Sequence, residues 1–175
     1  MRTPKVLKRK RAGVTDYSRR LRLVKSGKPR LVVRPSGKGI LAQIVEYSQN
    51  GDHIIKTVTD RTLKSKGYEV RGNNISVSYL VGFTLANEIK DSGIEEVVLD
   101  AGRINIVKGG RISAVVMGYV EGGGKVPCDK SIFPKEERIM GQHLQNKSAA
   151  ETMSQVRKIT APAAEKKTKR GKKNA

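Results

Sequence analysis

Lys25-Ser26-Gly27-Lys28-Pro29-Arg30-Leu31-Val32-Val33-Arg34-Pro35-Ser36-Gly37-Lys38-Gly39-Ile40-Leu41-Ala42-Gln43-Ile44-Val45-Glu46-Tyr47 is the stretch on which the fold turns. Leu31-Val32-Val33, between Arg30 and Arg34, reads as a strand, and Ile40 to Tyr47 as a second. The five residues Pro35-Ser36-Gly37-Lys38-Gly39 between them are turn formers. After the Asn50-Gly51-Asp52 turn, His53 to Thr59 alternates polar and apolar and predicts a third strand. Three consecutive strands with short turns imply an antiparallel meander.

Downstream, a loop containing Lys66-Gly67 and Arg71-Gly72 leads to Asn73 or Asn74, either of which can cap a helix reaching about Lys90. Ile75, Val77, Leu80, Val81, Phe83, Leu85 and Ile89 make that helix apolar on most sides, and Gly93 ends it, so it belongs in the core. Val97-Val98-Leu99-Asp100 has the wholly apolar start expected of a short strand covered on both faces. A second helix begins near Gly110-Arg111, with Ile112, Val115, Val116, Tyr119 and Val120 at helical spacing, and stops at Gly122-Gly123-Gly124. A last short helix is expected from Pro134, with Glu136 and Glu137 in its electropositive first turn. The order βββαβα is that of a ribonuclease-H-like α/β core with a mixed sheet.

Upstream, residues 1–14 hold Lys8-Arg9-Lys10-Arg11 and little to bury, and are expected to order only on a partner. Thr15 or Asp16 then caps a short helix whose Tyr17, Leu21 and Val24 form a docking stripe, with Arg19, Arg20 and Arg22 opposite and Gly27 as the stop. The chain thus divides into a basic arm and helix over 1–29, a globular α/β domain over 30–146, and a disordered lysine-rich tail over 147–175.

Charge follows the same division. Residues 1–34 carry 13 basic groups and one acid, residues 152–175 carry 8 and one, and the stretch between holds 15 and 14. A nearly neutral globule with two basic arms calls for a polyanion, nucleic acid first and an anionic membrane second. No apolar run long enough for a secretory signal follows the basic start. The start is transit-peptide-like in composition, but that reading leaves the basic C-terminal arm unexplained. The glycosylation triplets at Asn74 and Asn146 carry no meaning without export.

Catalytic chemistry finds no foothold. A nuclease on this topology needs several carboxylates converging on two cations about 3.5–4 Å apart. The strand Leu31 to Val33 has no acid, Asp60 and Asp100 end different strands, and Glu46 completes no site. Asp100 is better read as an anchor for the turn after it. His53 and His143 lack partner motifs, and the single cysteine, Cys128, supports neither a disulfide nor a zinc cluster. Gly122-Gly123-Gly124-Lys125 has Val126 where a nucleotide-triphosphate loop needs Ser or Thr. Lys108-Gly109-Gly110-Arg111 is either a plain tight loop or an anion site at a helix N-terminus. With aromatics at 4% and no tryptophan, base stacking on aromatic platforms is disfavoured, and folded helical nucleic acid is the expected ligand. Charge alone does not separate RNA from DNA.

Lys25 to Arg34 followed by Ile40 to Val45 resembles the archaeal form of ribosomal large-subunit protein family eighteen. Thr15-Asp16-Tyr17 with Arg19, Arg20 and Leu21, Gly82, Val98-Leu99-Asp100 with Gly102, Lys108 to Arg111, and Ile132-Phe133-Pro134 with Glu137-Arg138-Ile139 and Gly141 agree in order and spacing, covering residues 5 to 145. Gly39 and the Ala101, Arg103-Ile104-Asn105 loop depart from it. The resemblance implies a cytoplasmic, non-catalytic protein of the large subunit that needs no cofactor and no membrane. It implies binding to 5S rRNA and the large-subunit rRNA beside neighbouring proteins of the central protuberance. The RNA-contacting residues expected are Lys8, Arg9, Lys10, Arg11, Arg19, Arg20, Arg22, Lys25, Lys28, Arg30, Arg34, Lys38, Gln43, Arg71, Lys108 and Arg111.

Overall fold

The computed structural model describes residues 6, 8–66 and 74–140. The expected RNA contact Arg71, together with Gly141, His143 and the whole lysine-rich tail, lies outside those residues. A four-stranded sheet has the order β3-β2-β1-β4, built from β1 (Arg30–Pro35), β2 (Ile40–Ser48), β3 (Gly51–Thr59) and β4 (Val98–Asp100). The first three strands form the expected antiparallel meander, and β4 lies parallel to β1 with Leu31 opposite Leu99. The short β4 is an edge strand, so Val98 and Leu99 are only half buried, not covered on both faces as their apolarity suggested.

Alternation along the strands sorts the two faces of the sheet. Leu31, Val33, Ala42, Ile44 and Val58 form one face of the core, against which two helices pack, α4 (Ile75–Glu88) and α5 (Arg111–Glu121). Asn74 accepts the Val77 amide as the N-cap of α4, and Gly93, at φ 67°, follows the 3-10 turn after it. Between α4 and α5 glycine governs the approach, because a Cβ on Gly82 would stand 2.0 Å from the Val115 carbonyl oxygen and one on Gly118 2.1 Å from that of Tyr79. That close contact buries α5 on all sides from Ile112 to Tyr119, beyond the stripe its periodicity announces.

Three helices differ from the sequence reading. Residues 60–65 are a helix, α3 (Asp60–Ser65), not a loop: Thr59 and Thr62 form a reciprocal capping box and Leu63 is fully buried. The final helix, α6 (Glu136–Ile139), starts two residues later than Pro134 because Lys135 is extended, though Glu136 and Glu137 do occupy its first turn. The N-terminal region contains α1 (Lys8–Arg11) and α2 (Tyr17–Lys25). The single turn of α1, within a stretch expected to be unstructured alone, is closed by the Ala12 and Val14 amides on the Lys8 and Arg9 carbonyls.

Candidate nucleic-acid interface

Asp16 is the N-cap of α2 and accepts the Arg19 amide at 3.0 Å, a bond that holds its carboxyl below the ordinary value. None of the nine residues of α2 is buried. Tyr17 and Val24 of the expected stripe are half-buried, but Leu21 is 56% exposed and Arg19 and Arg20 are half-buried in its stead. Arg19 donates to the Gly102 carbonyl at 2.9 Å and Arg20 pairs with Asp52 at 2.7 Å. The solvent face therefore carries Leu21, Arg22 and Lys25.

Beneath α2 the charges alternate. Arg30 and Arg34 flank Val32 on the sheet face away from α4 and α5, and Val32 pairs with Asp100 on β4, so both guanidinium groups reach one carboxylate. Arg30 Nη1 lies 3.0 Å from Asp100 Oδ2, and Arg34 Nη2 lies 3.0 Å from Oδ1. Arg30 Nη2 also lies 2.8 Å from Asp52 Oδ2, a charge contact without hydrogen-bond alignment, and Asp52 in turn holds Arg20. The result is a row Arg34, Asp100, Arg30, Asp52, Arg20 that ties β4, β1, the β2–β3 hairpin and α2 together.

Asp100 additionally accepts the Gly102 amide at 2.8 Å, the turn-anchoring role its position suggested. Burial is the largest influence on its carboxyl and opposes ionisation; the Gly102 amide, Arg34 and Arg30 outweigh it and hold the group below its ordinary value. Its surroundings are donors throughout, and among the described residues no cluster of three or more His, Cys, Asp or Glu could hold a metal. His53 is exposed on β3. Burial pushes the Cys128 thiol up, with Asp129 adding to it, the reverse of nucleophile activation.

The row corrects one expected RNA contact. Arg30 is 3% exposed and committed to two carboxylates, so its guanidinium is structural and is not offered to a phosphate. Arg34 is half-exposed and shares Asp100, while Lys28 pairs with Glu96. Gln43 donates to Thr57 at 2.9 Å on the open sheet face. At the glycine loop the Gly109 amide goes to the Ile132 carbonyl and the Gly110 amide to that of Val107, at 2.9 and 3.0 Å, so neither is open to an anion. Arg111 ties the loop to the β1–β2 turn through the Ser36 carbonyl at 2.9 Å, and Lys108 is exposed. Lys8, Arg9, Lys10, Arg11, Arg22, Lys25 and Lys38 are exposed and have no ion pair among the described residues. Asp52 and Arg103 were missed by sequence reading. Arg103 donates to the Gly13 carbonyl, and no local pattern marks a pairing 90 residues apart.

The sheet is thus covered by helices on one face and carries on the other a cation-rich helix beside a carboxylate held by arginines. Comparisons with known proteins place the chain in a family. Residues 2–96 match the family described as ribosomal large subunit proteins 60S L5, and 50S L18. Large ribosomal subunit protein uL18 of Thermoplasma acidophilum is 50% identical over 141 residues, covering 81% of this chain and 86% of that protein. The uL18 of Picrophilus torridus is 46% identical over 147 residues, 84% of this chain and 92% of its own length. That of Korarchaeum cryptofilum is 38% identical over 137 residues, 78% and 70% respectively. The chain belongs to this family of large-subunit ribosomal proteins, whose members are structural and non-enzymatic. Its place is accordingly the ribosome, and no described helix is long and apolar enough to cross a membrane.

Proposed function

We propose that this protein binds 5S rRNA and helps attach it to the large-subunit rRNA at the central protuberance, beside neighbouring ribosomal proteins, in the cytoplasm. The observation that carries the reading is the exposed cation set Lys8, Arg9, Lys10, Arg11, Arg22 and Lys25 on α1 and α2, mounted on the sheet through Arg20, Asp52 and Arg30. Cations on an anchored element meet phosphates in a fixed register, whereas cations on a free chain attract any polyanion. Lys28, Arg34, Lys38, Gln43, Arg71, Lys108 and Arg111 complete the proposed surface, with Arg19 and Arg20 contributing the donors their internal bonds leave spare. The strand order with β4 parallel to β1 supports a ribonuclease-H-like core, in which residues 1–29 act as the recognition arm, residues 30–146 as the globular body and residues 147–175 as an auxiliary basic tail.

The test is competition binding of the full chain between a 5S rRNA transcript, a large-subunit rRNA fragment and an unrelated RNA or DNA duplex of equal length. Preference for the 5S transcript is expected to persist as salt is raised. Equal binding to all of them would mark a general duplex binder and sink the proposal.

A further inference from the structure

A cavity of about 430 Å³ opens between α1, α2 and the loop after β4, lined by Arg9, Arg19, Arg20, Arg34 and Arg103 together with Asp16 and Asp100. Its size falls in the range of about 300–1,000 Å³ usual for ligand sites. Asp100 is occupied by Arg30, Arg34 and the Gly102 amide, and the exposed Asp16 caps α2 through the Arg19 amide. The guanidinium groups on the wall keep donors to spare. Each arginine carries five N–H donors. Arg19 spends one nitrogen on the Gly102 carbonyl and Arg103 one on the Gly13 carbonyl, bonds that aim the groups without exhausting them. Arg9 has no ion pair among the described residues.

We propose that this cavity is a subsite for one backbone phosphate of the bound RNA, gripped by Arg9 from α1 and Arg103 from the β4–α5 loop. The inference rests on the RNA-binding reading above and assigns Arg103 a role that reading lacks. Planar guanidinium forks match phosphate oxygens two at a time, and positioned groups lose little freedom on binding. The exposed apolar side chains of Val14 and Ile104, also on the cavity wall, suit the ribose beside such a phosphate. Because Arg9 belongs to α1 and Arg103 to the β4–α5 loop, an anion held by both also braces α1 against the body of the protein.

The experiment uses the full chain and its Arg9→Gln, Arg103→Gln and double variants, with Lys64→Gln on α3 as a control, binding a 5S rRNA transcript at several salt concentrations. In parallel, inorganic phosphate is titrated into the unmodified protein while arginine Nε–Hε signals are followed by NMR. The double variant is expected to flatten the plot of log affinity against log salt by roughly 0.7–0.9 per lost contact, with the control unchanged. The Arg9 and Arg103 signals are expected to move together on adding phosphate. RNA binding with wild-type affinity and slope in the double variant would overturn the subsite while leaving the RNA reading intact. Absence of any RNA preference in the unmodified protein would overturn the RNA reading itself. If a glutamine variant does not fold, Arg103→Lys and the phosphate titration decide: silent Arg9 and Arg103 signals overturn the subsite.

Discussion

Arg30 and Asp100 meet across the parallel β1–β4 pair, Nη1 3.0 Å from Oδ2, with both residues buried. A buried charge that loses its partner costs about 3–5 kcal/mol. Asp100→Ala leaves Arg30 with only Asp52 and Arg34 with only the backbone carbonyls of Val33 and residue 100, so a loss of that order is expected in urea unfolding. It should exceed the loss from Arg34→Ala, whose side chain is 39% exposed.

The pH dependence follows from the same carboxylate. Asp100 is held below its ordinary value of 3.8 in the folded chain, so its contribution is complete above that value and is lost as pH falls through the lower folded one. Glu88 acts in the same sense: burial opposes its ionisation, but Lys66 and Lys56 outweigh it and hold it below 4.5. Urea midpoints measured between about pH 5 and pH 2 should fall in the unmodified protein and fall less steeply in Asp100→Asn, given ordinary carboxylate titration in this range.

The α4–α5 contact predicts steric intolerance. Gly82→Ala or Gly118→Ala sets a methyl group 2.0 or 2.1 Å from a backbone carbonyl oxygen of the facing helix, which must move. Overpacking of this kind costs typically 1–3 kcal/mol. A thermal midpoint unchanged by either substitution would show that the helices separate freely.

The arginines of the N-terminal half separate into two groups. Arg22→Gln with Lys25→Gln removes exposed charge from α2 and should weaken RNA binding and its salt dependence while changing stability by less than about 0.5 kcal/mol. Arg30→Gln should lower stability first. Deleting residues 152–175 should lower affinity for cognate and unrelated RNA about equally; competition binding at two salt concentrations reads the first and third outcomes, and urea unfolding the second.

Much of this was legible in the chain. The β1–β3 meander, the Asn74 cap, the ends of α4 and α5 and the anchoring role of Asp100 follow from turn residues, caps and periodicity, all of which act within a few residues. Helix α3 was missed because its capping box pairs two threonines and a single buried leucine gives no period. The expected docking face of α2 holds for Tyr17 and Val24 but not for Leu21, Arg19 and Arg20, for a different reason. Amphipathic patterning assumes that apolar side chains dock, whereas here Arg19 and Arg20 find a carbonyl and a carboxylate beneath the helix and Leu21 is left outside.

By itself the sequence determined that a nearly neutral α/β body carries basic flanking arms, because composition and local periodicity require no knowledge of distant partners. Which cations are available to a polyanion was decided only by tertiary structure. Arg22 and Arg30 are alike in sequence, yet strand pairing sets Arg30 between Asp52 and Asp100 while Arg22 points to water. Coulomb attraction depends on separation in space, and β1, β3 and β4 bring together residues that lie 22 to 70 positions apart along the chain.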